Sequence, residues 1–254
     1  MEVKIYDNII PEDLLLENYN WAKDKDFAVH YRHMYYDFNQ SRDDIFSTIT
    51  QQGIYRIAVG NTLNEVEKYS PPIAKLWKLV NEKVFNNKAT IEKGIPEGHS
   101  YNGWPTKTGK NHFEANNFPN DYNTSNVFQG FTCYVNARGP KLINLPETKL
   151  ANGGIHRDCP PELFNEDGYY TVLVVINPVW KPEWAGEILF YDDEEHVTTH
   201  RKRGYGYGWP KQMFSLKPGS LVVFSSQTIH KTIAPSSGAP ELALRVAFRV
   251  KVED

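Results

Sequence analysis

The sequence predicts a mostly β fold, a sandwich, barrel or jelly roll, that carries its helices in the N-terminal third. Three observations point there. From residue 127 onward, short apolar runs are punctuated by Pro178, Pro182, Gly186, Pro210, Pro218-Gly219 and Pro235, the rhythm of many short strands joined by turns. One of these runs, Tyr170 to Ile176, is almost continuously apolar, as expected of a strand covered on both faces. Aromatic residues make up 13% of the chain, which suits pleated, half-buried surfaces filled by large side chains.

Taken in order, the elements begin with a helix. Pro11-Glu12-Asp13 opens a stretch with Leu14, Leu15, Leu16, Tyr19 and Trp21; Pro and acidic residues in the first turn suit a helix start. A clearer helix follows Ser70-Pro71-Pro72. Ile73, Leu76, Trp77, Val80 and Val84 form one stripe at the helical period, and such a stripe needs a sheet to cover. Residues 91–127 are rich in turn formers, among them Gly94, Pro96, Gly98, Gly103, Pro105 and Gly109, and a loop region of that length is usually functional. Strands are predicted over 128–135, 153–158, 169–177, 186–191, 212–216, 220–224 and 242–250, with a tight turn at Lys217-Pro218-Gly219-Ser220. The expected organisation is a single domain over 1–254, with helices and first strands in 1–90, the loop-rich region in 91–127 and the β core in 128–254.

Composition narrows the function. A net charge of -3 and a pI near 6.3 argue against a protein that coats nucleic acid, because phosphate-tracking domains carry a basic excess. Two cysteines, Cys133 and Cys159, are too few for a disulfide framework and read as free thiols of a reducing compartment. The N-terminus has no basic segment followed by an apolar run, and the most apolar window is too short to span a bilayer. The expectation is a cytoplasmic protein without a membrane partner, a monomer or homodimer.

The chemistry concentrates in Gly153-Gly154-Ile155-His156-Arg157-Asp158. On a strand, residues two apart share a face, so His156 and Asp158 would project side by side. His230 follows 74 positions later, close behind the apolar run Leu221-Val222-Val223-Phe224. Two imidazoles and one carboxylate are the ligand set of a non-haem Fe(II) site that leaves coordination positions open. His-X-Asp alone is a weak signal, since a lone His in a strand is more often a core or surface residue. The other six histidines lie in polar or loop-like surroundings. Arg245 sits inside the apolar run Leu242 to Val250, which contains no acidic residue. A buried arginine needs an anion, and a ligand carboxylate could supply it. Arg249 shares its face by the period of two; for either arginine a solvent-facing position on an edge strand is the plain alternative.

The order His156-X-Asp158, His230, Arg245 resembles the Fe(II)/2-oxoglutarate-dependent dioxygenase superfamily, and within it the prolyl-4-hydroxylase-like branch. Tyr170-Thr-Val-Leu-Val-Val-Ile-Asn-Pro resembles the strand after the metal motif. Trp184-Ala-Gly-Glu-Ile-Leu-Phe-Tyr resembles a Gly-Gly-Glu strand with Ala185 in place of the first Gly. Lys217-Pro-Gly-Ser-Leu-Val-Val-Phe resembles the approach to the distal His, and Asp7-Asn-Ile-Ile-Pro-Glu-Asp-Leu-Leu the first helix. The resemblance covers roughly 128–250. It implies a double-stranded β-helix (a cupin-like jelly roll) buttressed by the N-terminal helices. It implies Fe(II) on His156, Asp158 and His230, with 2-oxoglutarate and dioxygen as co-substrates and ascorbate as a reductant. Arg245 matches the basic residue that anchors the far carboxylate of 2-oxoglutarate. Its spacing of fifteen positions from His230 exceeds that of the nearest prolyl hydroxylases and keeps Arg249 in contention. Tyr134 matches a tyrosine that hydrogen-bonds the same carboxylate, and Thr171 offers a further hydroxyl.

The leading substrate is a peptide or protein prolyl residue. Residues 94–126, rich in Gly, Asn and aromatics, and the run 200–210, which interleaves His200, Arg201, Lys202 and Arg203 with Tyr205, Tyr207 and Trp209, are candidate substrate loops. The basic cluster at 200–203 is the only support for a nucleobase or other nucleic-acid substrate, or a small metabolite. A non-catalytic cupin-like binding module is the alternative outside enzymes.

Overall fold

The computed structural model describes residues 3–23, 25, 28–29, 54–94, 132–139, 155–156, 158, 168–191 and 210–253. Both predicted candidate substrate loops, 94–126 and 200–210, lie outside these residues except for Gly94 and Pro210.

The strands are β1 (Lys4–Tyr6), β2 (Ala28–Val29), β3 (Ile54–Gly60), β4 (Ala89–Thr90), β5 (Cys133–Arg138), β6 (Ile155–His156), β7 (Tyr169–Val175), β8 (Ile188–Tyr191), β9 (Gln212–Phe214), β10 (Leu221–Ser225), β11 (Ile229–Thr232) and β12 (Ala243–Val252). They form two antiparallel sheets of a jelly-roll type sandwich. The larger runs β1-β10-β7-β12-β5-β3-β2, with β4 also on β12; the smaller runs β6-β11-β8-β9. Side chains of both sheets meet in one apolar layer, Leu173, Val175, Val222 and Phe224 from the first with Ile188, Phe190 and Phe214 from the second. The opposite face of the large sheet buries Val135, Val172, Val174, Val246, Phe248 and Val250 together with helical residues. Strand β7 therefore lies between two apolar layers, which is why its sequence carries no polar alternation.

Among the described residues three α-helices accompany the sheets: α1 (Glu12–Lys23), α2 (Leu63–Tyr69) and α3 (Pro71–Phe85). Thr62 and Glu65 close a reciprocal capping box at the start of α2, and Ser70 caps α3 with Pro at its first turn. Asn86, in the left-handed region at φ 52°, ends α3. The stripe of α3 buries Ile73, Leu76, Trp77 and Val80, and the Trp77 ring lies 5.1 Å from that of Phe248 on β12. Asn18, fully buried on α1, donates to the carbonyls of Leu14 and Pro72 and so ties α1 to α3.

Two boundaries differ from expectation in ways that matter for the site. The strand expected over 153–158 is described as a two-residue ladder, and Asp158 lies past its end in a bend. Of the strand expected over 128–135, residues 128–131 lie outside the described residues; the described strand, Cys133–Arg138, ends later than expected because its pairing with β12 and β3 continues to Arg138. At Lys217-Pro218-Gly219-Ser220 the Ser220 amide donates to the Lys217 carbonyl and Gly219 takes φ 68°, the turn that Pro followed by Gly favours. It carries the chain from one sheet to the other.

Candidate metal centre

The centre lies where the smaller sheet faces β7 and β12. Strand β11 pairs with β6 in a register that sets His230 directly opposite His156. Cross-strand partners in an antiparallel pair have their Cα atoms about 4.5–5.5 Å apart. The two histidines, 74 positions apart in sequence, are thus neighbours through backbone pairing alone.

His230 is buried, with its ring 4.7 Å from that of Phe224 and 6.2 Å from that of Phe190. Its Nδ1 is 2.9 Å from the Thr228 carbonyl oxygen. A carbonyl can only accept, so Nδ1 carries a proton, which leaves Nε2 as the ring nitrogen that a metal could take. Nε2 in turn lies 4.0 Å from Asp158 Oδ1. That is too long for a hydrogen bond, and it is wider by about 0.6–1 Å than the roughly 3.0–3.4 Å between neighbouring ligands at about 2.1 Å from one ion, so the two groups would draw together on metal binding.

Asp158 is buried although it lies outside any strand, and two residues of the large sheet hold it. Thr171 Oγ1 donates to Oδ2 at 2.6 Å, and Arg249 Nη2 donates to Oδ1 at 3.1 Å. Thr171 and Arg249 are themselves cross-strand partners on β7 and β12. The expected geometry, two residues of one strand delivered by the pleat, is therefore replaced by a carboxylate in a bend that is clamped from the opposite sheet. Tyr134 on β5 completes this corner: its hydroxyl accepts from Arg249 Nη2 at 3.5 Å and its ring centroid is 5.8 Å from the guanidinium carbon.

Arg245 lies elsewhere. It shares the inward face of β12 with Arg249, with Ala247 between them, and all three are buried. Its Nη2 donates to the Gly186 carbonyl at 2.7 Å, while its buried Nε has no hydrogen-bond partner. Burial, with repulsion from Arg138, pushes the guanidinium down to about 9 against a smaller opposing pull from Glu187. At neutral pH it is still a cation. The structure thus brings Asp158, Thr171, Tyr134, Arg249 and His230 together and sets Arg245 apart, four positions before Arg249 along β12.

The donor types fit a divalent first-row metal: an imidazole nitrogen and a carboxylate face each other, and a second histidine lies directly across the ladder. Among the described residues, no group of three His, Cys, Asp or Glu side chains is in place to hold an ion; the site has two such side chains, with His156 located by its backbone. Arg245 leaves a buried guanidinium nitrogen without a hydrogen-bond partner, the kind of donor that a carboxylate satisfies. Sequence reasoning missed two features. The Arg249–Asp158 pair is invisible within the strand because the anion comes from 91 positions away. Gly94, legible only as a turn former, packs its Cα against β12: a Cβ there would stand 1.9 Å from the Arg249 carbonyl oxygen.

A jelly-roll sandwich with a His/Asp pair between its sheets is the class that fold and site define. No family model and no curated protein matches the chain. Solved structures do. A prolyl-4-hydroxylase from Pseudomonas putida is 10% identical, with a TM-score of 0.41, over 99% of this chain and 93% of that one. A prolyl hydroxylase from Trichoplax adhaerens, in complex with a peptide fragment of the hypoxia-inducible-factor oxygen degradation domain, is 16% identical, with a TM-score of 0.40, over 99% and 83%. HygX from Streptomyces hygroscopicus, with nickel and 2-oxoglutarate bound, is 10% identical, with a TM-score of 0.48, over 98% and 82%. Among the described residues no helix is long and apolar enough to cross a membrane.

Proposed function

We propose that this protein is an Fe(II)- and 2-oxoglutarate-dependent dioxygenase that hydroxylates a prolyl residue of a peptide or protein. The observation that carries the reading is the approach of His230 Nε2 to Asp158 Oδ1, 4.0 Å apart, with His156 across the ladder. In this reading His156, Asp158 and His230 hold the metal. When bound, Fe(II) and 2-oxoglutarate supply the oxidising power for hydroxylation, with 2-oxoglutarate leaving as succinate and CO₂.

The chain's own residues bind and orient. Arg245 takes the far carboxylate of 2-oxoglutarate, supported by its unpartnered Nε and by the absence of an acidic residue in its strand. Thr171 fixes the Asp158 carboxylate through Oδ2, and Thr228 fixes the tautomer of His230. Phe190 and Phe224 wall the imidazole on one side and keep water from it. Helices α1 and α3 buttress the large sheet, a role supported by the packing of Trp77 on Phe248. The peptide substrate rests on the sequence resemblance and on the aromatic-rich segments 94–126 and 200–210.

The test supplies purified protein with Fe(II), ascorbate, 2-oxoglutarate and panels of proline-containing peptides and nucleosides. Succinate should form in step with a peptide product one oxygen heavier, and His156→Ala should abolish both. An oxygenated nucleoside would move the substrate class. Absence of succinate above the His156→Ala control across the whole panel would leave the non-catalytic module standing.

A further inference from the structure

The Asp158 carboxylate has both oxygens engaged. Thr171 holds Oδ2, and the oxygen that faces His230 Nε2 is the one that accepts from Arg249. We propose that Arg249 is an internal cation that competes with the metal ion for Asp158 Oδ1. The inference rests on the metal-site reading above and goes beyond it, because it assigns Arg249 a role opposed to metal loading.

The geometry leaves a guanidinium little room to be neutral in this. Arg249 is 3% exposed and Asp158 8%, so the pair interacts where water screens weakly. Breaking a buried pair leaves an uncompensated charge. A divalent ion bound at Oδ1 would place a second cation next to that guanidinium. The two cations would then compete for one carboxylate oxygen, and a weaker, uncharged acceptor, the Tyr134 hydroxyl, lies 3.5 Å from the same Nη2. A carboxylate ligand entering with the metal is a better acceptor. The consequence is linkage: the metal alone binds against the charge of Arg249, and an anion that accepts from Arg249 relieves the penalty. Strand β12 cannot retreat to accommodate this. It is hydrogen-bonded on both sides at this level, with Thr171 opposite on β7 and the Arg249 amide on the Thr132 carbonyl at 2.7 Å, and Gly94 packs against its backbone.

The test compares Mn(II) affinity, by calorimetry without any co-substrate, for the full chain and for Arg249→Gln, Arg249→Lys and Thr171→Val. Arg249→Gln should bind Mn(II) about tenfold more tightly, within the usual range of coupling between sites. Arg249→Lys, which keeps the charge, should stay near the parent, and Thr171→Val, which only loosens Asp158, should bind more weakly. If Arg249→Gln also weakens binding, Arg249 is a positioning residue like Thr171 and the proposal is overturned. An arm independent of variants follows the arginine side-chain Nη signals of the unaltered protein by NMR as diamagnetic Zn(II) is added. A protected guanidinium should shift on saturation, and an unchanged spectrum overturns the proposal. If the unaltered protein binds neither metal, it is the metal-site reading that fails.

Discussion

Replacing Arg245 by Ala separates co-substrate binding from metal binding. Its guanidinium is buried, its Nη2 is satisfied only by the Gly186 carbonyl and its Nε by nothing, so a carboxylate can accept from the Nε side as a new charge-assisted bond. Hydrogen bonds to charged groups contribute about 1.5–3 kcal/mol each. Two such bonds, about 3–6 kcal/mol together, at about 1.4 kcal/mol per factor of ten, amount to roughly a 100- to 10,000-fold loss of 2-oxoglutarate affinity. Metal affinity should hold, because Arg249 and Thr171, not Arg245, touch Asp158. The assay is calorimetric titration of 2-oxoglutarate into Mn(II)-loaded protein, paired with a metal titration of each variant. Unchanged 2-oxoglutarate affinity in Arg245→Ala would refute the assignment, and an affinity lost only in Arg249→Gln would transfer the anchor to Arg249.

Four further outcomes are expected. 2-Oxoglutarate affinity should fall as pH rises through about 9, since the buried Arg245 cation has its pKa lowered from 12.5 and only its protonated form attracts the carboxylate; a flat profile from pH 7 to 10 contradicts this. Thr171→Val keeps the shape and removes the donor to Asp158 Oδ2, so metal affinity should drop about tenfold or more by calorimetry with the fold intact by circular dichroism. Gly94→Ala drives a Cβ into the Arg249 carbonyl and should cost at least about 2 kcal/mol in denaturant unfolding, a typical overpacking penalty. Ala185→Gly should instead stabilise by about 1 kcal/mol, visible as a higher melting temperature, because Ala185 holds φ 54° and ψ -150°, a region glycine enters without strain.

What the sequence made legible follows from how local each signal is. The stripe of α3 is readable because Ile73, Leu76, Trp77 and Val80 repeat at 3.6 residues whatever covers them. Strand β7 is readable because both its faces are apolar. Strands β1 and β2, three and two residues long, carry no periodic signal and exist only by pairing with β10 and β3. At the site, the residue types were legible and their mutual placement was not. Asp158 looked like a strand residue, yet its carboxylate is set by Thr171 and Arg249 across the sandwich. The same pairing separates two arginines that look equivalent in sequence: Arg249 has a counter-charge, whereas Arg245 keeps an orphaned nitrogen. Ala185 shows the reverse case, where a departure from a Gly-Gly-Glu pattern correctly marks a backbone that bends as glycine would.

The central claim, that one metal and one 2-oxo dicarboxylate share the space between His230, Asp158 and Arg245, is tested most directly by anaerobic titration of 2-oxoglutarate with and without metal. The account predicts one equivalent bound to the Mn(II)-loaded protein, far weaker binding without metal, and loss of the metal-dependent binding in Asp158→Ala and His230→Ala. Equal 2-oxoglutarate affinity in the presence and absence of metal, or in those two variants, would contradict it.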